Sequence, residues 1–172
     1  MKLNELNLKM PYTEEQMIAL LKECKKDPLM SFNVDYWDRK NRDPYLWKVV
    51  YVGPKNTPYE GGIFTVKVVI PKKYPEEKPE FFFITKIYHL NIAWRNSNQD
   101  GHVCFGETVT NDIKELLKLV ETYFSFQNPD STWYNDQEIQ EYKDYRDGKS
   151  KVFYEKAQDW VYLYAGLNQL KK

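Results

Sequence analysis

The chain has 172 residues, of which 42% are hydrophobic and 16% aromatic, so the composition predicts one globular domain and excludes a disordered chain. Lys plus Arg and Asp plus Glu both number 25, which gives a formal charge of zero. Nucleic-acid binding needs a basic surface to meet the phosphate backbone. We therefore expect no nucleic-acid partner.

Two features of the sequence bear on where the protein works. The longest apolar run near the C-terminus, residues 160–165, is too short to span a bilayer, and charges within residues 2–9 are atypical of a signal peptide. Cys24 and Cys104 lie in unrelated contexts, which suits a reducing compartment. We expect no membrane partner and a location in the cytoplasm, the nucleus or both.

An amphipathic helix is predicted near the N-terminus. Thr13 followed by residues 14–16 is typical of an N-cap and a first helical turn. Apolar residues then recur at helical spacing up to Cys24, and Asp27-Pro28 ends the helix. Cys24 is therefore most simply a buried core thiol.

Four β-strands follow, because the apolar residues change to a period of two. These strands run from Phe32 to Tyr36, Trp47 to Tyr51, Ile63 to Ile70 and Glu80 to Ile84. Connections this short between successive strands permit only hairpins. The sequence predicts an antiparallel meander.

Helical periodicity returns after Cys104. Three helices are predicted, around Ile113 to Val120, Asp136 to Tyr145 and Ser150 to Leu170. The last helix should bury a stripe formed by Phe153, Ala157, Trp160, Tyr164 and Leu167. One helix, four strands and then helices define an α+β protein.

The irregular segment before the second helix carries the residue types that do chemistry. A metal site using His89, His102 and Cys104, with Asp100 as a further ligand, lacks the paired spacing of structural zinc sites. A cysteine hydrolase could use His102, which would share a strand face with Cys104, but no local signature accompanies the pair. Both hypotheses remain open at this point.

Acyl transfer through a thioester is a further hypothesis for this segment. A thiol exchanges with another thioester at little cost in free energy. When an amine then attacks the thioester, a negative oxygen forms, and the side-chain amide of Asn91 is of a type that stabilises it. The simplest alternative is that Cys104 is a small buried hydrophobic residue and Asn91 a turn residue.

A series of motifs in a fixed order narrows these alternatives. They are Trp47, Gly53 to Phe64 (G-P-K-N-T-P-Y-E-G-G-I-F), Pro71-x-x-Tyr74-Pro75, Pro79, Thr85 to Ile92, Gly101-x-x-Cys104, Asn128 to Ser131, Glu138-Ile139, Tyr142-Lys143, Ala157-x-x-Trp160 and Tyr164-Ala165. Through these motifs the sequence resembles the ubiquitin-conjugating enzymes. The resemblance implies their UBC-like fold, with a core domain at residues 12–168 after a short N-terminal extension, residues 1–11.

The resemblance also assigns roles to individual residues. It implies that Cys104 takes the modifier's C-terminal glycine as a thioester and that Asn91 stabilises the oxyanion or orders the loop that does. Ser131 would orient the attacking lysine. His89 would hold the loop through hydrogen bonds, and Tyr88 would line the same groove.

The partners implied by the resemblance are ubiquitin or a ubiquitin-like modifier and an activating enzyme. No cofactor is expected to bind, because the activating enzyme uses the ATP. The alternative is a catalytically inactive variant of the same fold that binds ubiquitin or another partner.

The sequence departs from the family pattern at several positions. Leu90 replaces the family's proline, a change expected to loosen the loop, and Trp94 to Asn98 form an apparent insertion. The family's W-S-P-x-x-T loop is absent after Cys104, and Glu76 stands where RING-binding members have an aromatic residue. These departures predict that any ligase docks on a non-standard surface. The acidic start of the first helix leaves both the activating enzyme and the modifier open.

Overall fold

The computed structural model describes residues 10–94, 100–108, 110–130, 132 and 134–166. The helices are α1 (Glu14–Lys26), α2 (Ile113–Tyr123), α3 (Asp136–Arg146) and α4 (Val152–Trp160), and the strands are β1 (Asn33–Tyr36), β2 (Leu46–Val52), β3 (Ile63–Val69) and β4 (Glu80–Phe83). The predicted order of elements and the α+β class are confirmed, and the strand ends lie within one residue of those predicted. None of the described helices is long and apolar enough to cross a membrane.

The four strands form one antiparallel sheet in the order β1-β2-β3-β4, as the short connections predict. In the middle of the sheet Val49 pairs with Val66, which in turn pairs with Phe83. All three side chains are fully buried, because alternate residues of a strand point to the same face of the sheet. This face forms one side of the core.

The buried face of the sheet packs against α2 and the turn that follows it. The Tyr51 hydroxyl of β2 donates to the Leu117 carbonyl of α2 at 3.0 Å. The ring of Phe64 in β3 lies 5.1 Å from that of Phe124, directly after α2. Full burial of a side chain such as Phe contributes roughly 1.5–3 kcal/mol to folding. The sheet thereby fixes the position at which α2 ends.

The first helix forms as its sequence predicts. The Thr13 hydroxyl accepts from the Gln16 backbone N–H, and the Gln16 side chain accepts from the Thr13 N–H, which completes a capping box. Met17, Leu21 and Cys24 are buried on one face of α1. The prediction that Cys24 is a core thiol is confirmed.

The end of the last helix differs from the prediction. After α4 the chain makes a π-helical turn, Val161–Ala165, with one residue more than an α-helical pattern allows. This extra residue shifts the buried stripe, so Tyr164 is 38% exposed and Ala165 is 2% exposed. The prediction that Tyr164 is buried was wrong. Leu167, the last predicted member of the stripe, lies outside the described residues.

Candidate active site

Cys104 lies at the end of a short segment, residues 101–104, that extends the sheet beyond β4. The Phe83 N–H donates to the Gly101 carbonyl at 2.8 Å, and the Val103 N–H donates to the Phe81 carbonyl at 2.9 Å. These two hydrogen bonds attach the segment to the edge of a buried strand. The sheet therefore holds the backbone that leads to the thiol.

The other edge of the same segment pairs with residues 91–93. These residues end the loop that carries His89, Leu90 and Asn91, residues 88–93, which we call the active-site loop. The Ala93 N–H donates to the His102 carbonyl at 3.0 Å, and the Cys104 N–H donates to the Asn91 carbonyl at 2.8 Å. Asn91 and Cys104 are thus neighbouring partners in a small antiparallel hairpin. This arrangement brings together the two residues that the sequence singles out for acyl transfer.

Gly101 lies at the far end of this hairpin from Cys104. The Gly101 N–H donates to the Ala93 carbonyl at 2.9 Å and closes the hairpin. Gly101 has φ +82°, and a Cβ there would lie 2.0 Å from the Phe83 carbonyl oxygen, so the position requires glycine. Of the predicted insertion, Trp94 to Asn98, only Trp94 lies within the described residues.

His89 is buried and uses both ring nitrogens. Its Nδ1 accepts from the Asn91 N–H at 3.0 Å, so Nε2 carries the proton and donates to the Tyr123 carbonyl at 2.8 Å. Tyr123 is the last residue of α2, where helix carbonyls lack partners within the helix. Burial lowers the pKa of His89 to about 4. Because the imidazole is neutral and both of its nitrogens are hydrogen-bonded, His89 holds the loop to the end of α2 and does not act as a base.

The side chain of Asn91 is also fully buried, and it bonds to the backbone of the loop after α2. Its Nδ2 donates to the Asn128 carbonyl at 2.8 Å, and its Oδ1 accepts from the Asn128 N–H at 2.8 Å. The amide therefore fixes residue 128 in two directions. The Asn128 side chain in turn accepts from the Asp130 N–H at 3.0 Å.

Leu90 does not loosen the active-site loop, contrary to the expectation from its replacement of proline. Its N–H donates to Oε1 of Gln127 at 2.8 Å, and its carbonyl accepts from the Thr132 hydroxyl at 2.7 Å. The residue therefore adds a hydrogen bond that a proline cannot make. The loop is held on both sides of this position.

Tyr88 does not line the groove as the resemblance implied. Its side chain is only 6% exposed, and its ring packs against Phe153 and Trp160 at centroid distances of 5.2 and 5.8 Å. Its hydroxyl donates to Glu141 of α3 at 3.4 Å. Tyr88 therefore anchors the loop to the C-terminal helices by packing.

Cys104 itself is half-buried, whereas Cys24 is 2% exposed and its burial raises its pKa to about 11. The Tyr123 hydroxyl donates to the Cys104 carbonyl at 3.1 Å. Mainly because of burial, the pKa of Tyr123 is raised to about 12, so this hydroxyl keeps its proton at neutral pH. Ser131, the predicted lysine-orienting residue, lies outside the described residues.

The other histidine of the segment is directed to the edge of the sheet. His102 Nε2 lies 3.8 Å from a Glu80 carboxylate oxygen, and its ring lies 5.1 Å from that of Phe82. Within the part of the chain that the structure describes, no three His, Cys, Asp or Glu side chains cluster as metal ligands.

The two stretches that depart from the family's ligase-docking pattern lie next to each other. The Asn111 side chain donates to the carbonyls of Pro75 and Glu76 at 3.2 and 2.9 Å. Lys78 Nζ donates to the Thr108 carbonyl at 2.9 Å. The loop after Cys104 is thus tied to the loop before β4.

The α+β architecture, with the half-buried Cys104 beside the loop that carries Asn91, defines the class of fold found in ubiquitin-conjugating enzymes. A family model described as ubiquitin-conjugating enzyme matches residues 15–161. The crystal structure of a Plasmodium yoelii protein described as a ubiquitin conjugating enzyme superposes with a TM-score of 0.70 and 27% identity, covering 92% of this chain and 99% of that one.

Two curated proteins are similar to this chain in sequence. Ubiquitin-conjugating enzyme E2 13 of Saccharomyces cerevisiae is 30% identical over 154 residues, which cover 85% of this chain and 92% of the yeast protein. Ubiquitin-conjugating enzyme E2 S of Nematostella vectensis is 40% identical over 85 residues, which cover 46% of this chain and 39% of that protein. The chain belongs to the ubiquitin-conjugating enzyme family, and the resemblance seen in its motifs is confirmed.

Sequence reasoning missed three residues that hold the loop: Tyr59, Tyr123 and Gln127. None stands in a local pattern that predicts its partner, since each bonds to a distant part of the chain. For Gln127 one signal exists, because a leucine at a proline position creates a buried N–H that needs an acceptor. The domain limits, residues 12–168, stay a prediction that encloses the matched range.

Proposed function

We propose that the chain accepts ubiquitin or a ubiquitin-like modifier from an activating enzyme as a thioester on Cys104 and transfers it to a lysine amine. The observation that carries this proposal is the placement of a half-buried thiol at the end of a ladder. The backbone N–H of Cys104 donates to the Asn91 carbonyl, and the backbone carbonyl of Cys104 accepts from the Tyr123 hydroxyl. Family membership supports the same reaction.

The reaction has two steps. The Cys104 thiolate attacks the carbonyl carbon of the modifier's C-terminal glycine, and the thiolate of the activating enzyme leaves. A lysine amine then attacks the new thioester, the Cys104 thiolate leaves, and the amine proton passes to solvent or to a nearby polar group. ATP is consumed by the activating enzyme, so this chain needs no cofactor of its own. We place the reaction in the cytoplasm, the nucleus or both.

The geometry supports a loop-ordering role for Asn91 over direct contact with the oxyanion. Both polar ends of its amide bond to the Asn128 backbone, which fixes the loop after α2 against Asn91. A donor aimed at the oxyanion must point to the position where that charge develops. Ser131, three residues beyond Asn128, is proposed to orient the attacking lysine.

A charging assay tests the proposed reaction. The protein is incubated with ATP, an activating enzyme and ubiquitin, and a non-reducing gel is compared with a reduced one. We expect a thiol-sensitive band about one ubiquitin heavier for wild type and for the matched control Cys24→Ala, and none for Cys104→Ala. A band that persists in Cys104→Ala contradicts the proposal.

The assay is repeated with other modifiers and their own activating enzymes. Glu14 and Glu15 make the first turn of α1 acidic, whereas the family uses a basic helix there to contact the activating enzyme. If the protein is charged with one of these modifiers and not with ubiquitin, that modifier is its substrate. Absence of charging with every pair would overturn the proposed reaction and leave a binding module of the same fold.

We propose further that any ligase docks on a surface different from the usual one. Glu76 and the loop after Cys104 are braced together by Asn111 and Lys78. Polar bonds join these two loops, and Glu76 carries a carboxylate where the RING-binding members have an aromatic side chain. Alanine at Glu76 should therefore leave ligase-stimulated discharge unchanged in an assay with the cognate ligase.

A further inference from the structure

Gln127 lies in the interior of the protein and makes three hydrogen bonds there, although its side chain is polar. It is 2% exposed. Its Oε1 accepts from the Leu90 N–H at 2.8 Å, its Nε2 donates to the Tyr59 hydroxyl at 2.6 Å, and its backbone N–H donates to the Tyr142 hydroxyl at 2.9 Å. A buried polar side chain is costly unless it is paired in this way.

The orientation of the Gln127 amide follows from the Tyr59 hydroxyl. That hydroxyl donates its only proton to the Tyr88 carbonyl at 2.7 Å, so toward Gln127 it can act only as an acceptor. Burial raises the pKa of Tyr59 well above its usual range, so the proton stays in place. Nε2 must therefore face Tyr59, which leaves Oε1 to face Leu90.

The Leu90 N–H needs this acceptor. Leu90 is fully buried, and a buried N–H without a partner costs free energy comparable to a lost hydrogen bond. The next residue along, Asn91, accepts the Cys104 N–H on its carbonyl. Gln127 is thus linked to the backbone of the thiol through two consecutive residues of the active-site loop.

We propose that Gln127 is a positioning residue for the transfer of the modifier to lysine, an inference that rests on the proposed function. It acts by pairing the Leu90 N–H, which holds the loop residue whose carbonyl binds the Cys104 N–H. Both steps pass through a tetrahedral oxyanion, but charging exchanges one thiolate for another, whereas discharge needs an amine that must also lose its proton, so we expect discharge to depend more on an ordered loop. Loss of Gln127 therefore slows discharge more than charging.

The test is a double-mutant cycle between Gln127 and Leu90. Gln127→Met keeps the volume of the side chain and removes the acceptor, and Leu90→Pro removes the donor. In the Leu90 background we expect Gln127→Met to slow single-turnover discharge to free lysine about tenfold, as expected for one unpaired buried N–H. In the Leu90→Pro background the same change should slow discharge less than about twofold.

The matched control is Gln158→Met. Gln158 is a half-buried glutamine on α4 whose side chain also bonds to the backbone, by donating to the Pro58 carbonyl at 3.3 Å, so its loss tests the removal of a side-chain amide that does not bond to Leu90. We expect this variant to discharge at the wild-type rate. Equal slowing by Gln127→Met in both Leu90 backgrounds would overturn the proposal, because Gln127 would then act through its packing or its bond to Tyr59 and not through the Leu90 N–H.

Amide hydrogen exchange measured by NMR tests this inference without relying on catalytic activity. It also does not require the Leu90→Pro variant to fold. We expect Gln127→Met to speed exchange at Cys104 as well as at Leu90, and Gln158→Met to change neither. Unchanged protection at Cys104 would overturn the inference even if the enzyme charges normally. If wild type fails to charge, the proposed function fails, and protection at Cys104 decides the inference alone.

Discussion

The side-chain amide of Asn91 and the backbone of Asn128 form two reciprocal hydrogen bonds, each 2.8 Å long. Asn91 is fully buried and Asn128 is half-buried, so removal of the amide leaves a partly shielded backbone N–H and carbonyl without these partners. This pair therefore holds the loop after α2 against Asn91, whose carbonyl accepts the Cys104 N–H.

Asn91→Ala should lower the free energy of unfolding by about 1–3 kcal/mol and slow lysine discharge more than charging. Asn91→Asp keeps an acceptor for the Asn128 N–H but buries a carboxylate oxygen against the Asn128 carbonyl, so in urea unfolding at neutral pH it should destabilise the protein more than Asn91→Ala. Asn111→Ala is the matched control, since it also loses two side-chain bonds to the backbone, in this case to the carbonyls of Pro75 and Glu76. Equal slowing of charging and discharge by Asn91→Ala would assign the residue to folding alone.

Protonation of His89 should destabilise the protein in acid. Burial lowers its pKa to about 4 in the folded state, below the 6.5 of an unperturbed histidine. The unfolded chain therefore binds the proton first, so the stability from neutral His89 is complete above pH 6.5 and is lost as the pH falls to 4. The loss amounts to roughly 3 kcal/mol across that window.

Urea unfolding at several pH values checks this expectation. His89→Gln, which does not titrate, should show a flatter dependence of stability on pH than wild type between pH 4 and 6.5. The same slope for His89→Gln and wild type would contradict the assignment.

Substitutions at Gly101 and Gly148 distinguish two costs of a side chain at positive φ, which are conformational strain and a steric clash with neighbouring atoms. Both have positive φ, +82° and +71°, but a Cβ meets the Phe83 carbonyl oxygen at 2.0 Å in the first case and no atom within 4 Å in the second. We expect Gly148→Ala to cost about 1–2 kcal/mol of unfolding free energy from conformational strain alone. Gly101→Ala should cost more than about 3 kcal/mol, since the hairpin that carries Cys104 must shift. Similar losses in thermal unfolding would argue against the tight contact.

The two cysteines should differ in their reaction with iodoacetamide. Cys24 is buried in α1 and its pKa is raised to about 11 by burial, so it is almost wholly a thiol at pH 8. We expect native protein to be alkylated at Cys104 within minutes and at Cys24 only in urea, as read by peptide mass spectrometry. Cys104→Ala provides the control, and rapid native labelling of that variant would contradict the burial of Cys24.

The strands and the first helix were predictable because their signals are local. A period of two recurs within each strand, and the cap of α1 lies three residues from its partner. The π-helical turn after α4 was not predictable, since the apolar spacing reads equally well as one continuous α-helix. Its single extra residue exchanged the positions of Tyr164 and Ala165.

In the candidate site the sequence brought together Cys104 and Asn91, which the hairpin makes neighbours. It did not predict the bond between Leu90 and Gln127, which are 37 positions apart, because no spacing rule connects residues at that distance. Tyr88 was placed in the groove by analogy, whereas the contacts of its ring with the last helix decide its position. Local patterns therefore located the chemistry, and tertiary packing determined what supports it.

The hairpin that ends at Cys104 also offers a site for engineering. Its pairs join Asn91 to Cys104 at one end and Ala93 to Gly101 at the other, so the connection between Ala93 and Gly101 is separated from the thiol by the whole length of the ladder. A peptide epitope or a fluorescent label grafted into that connection would replace none of the bonds that position the thiol. Such a graft would report directly on the approach of a modifier or an acceptor protein.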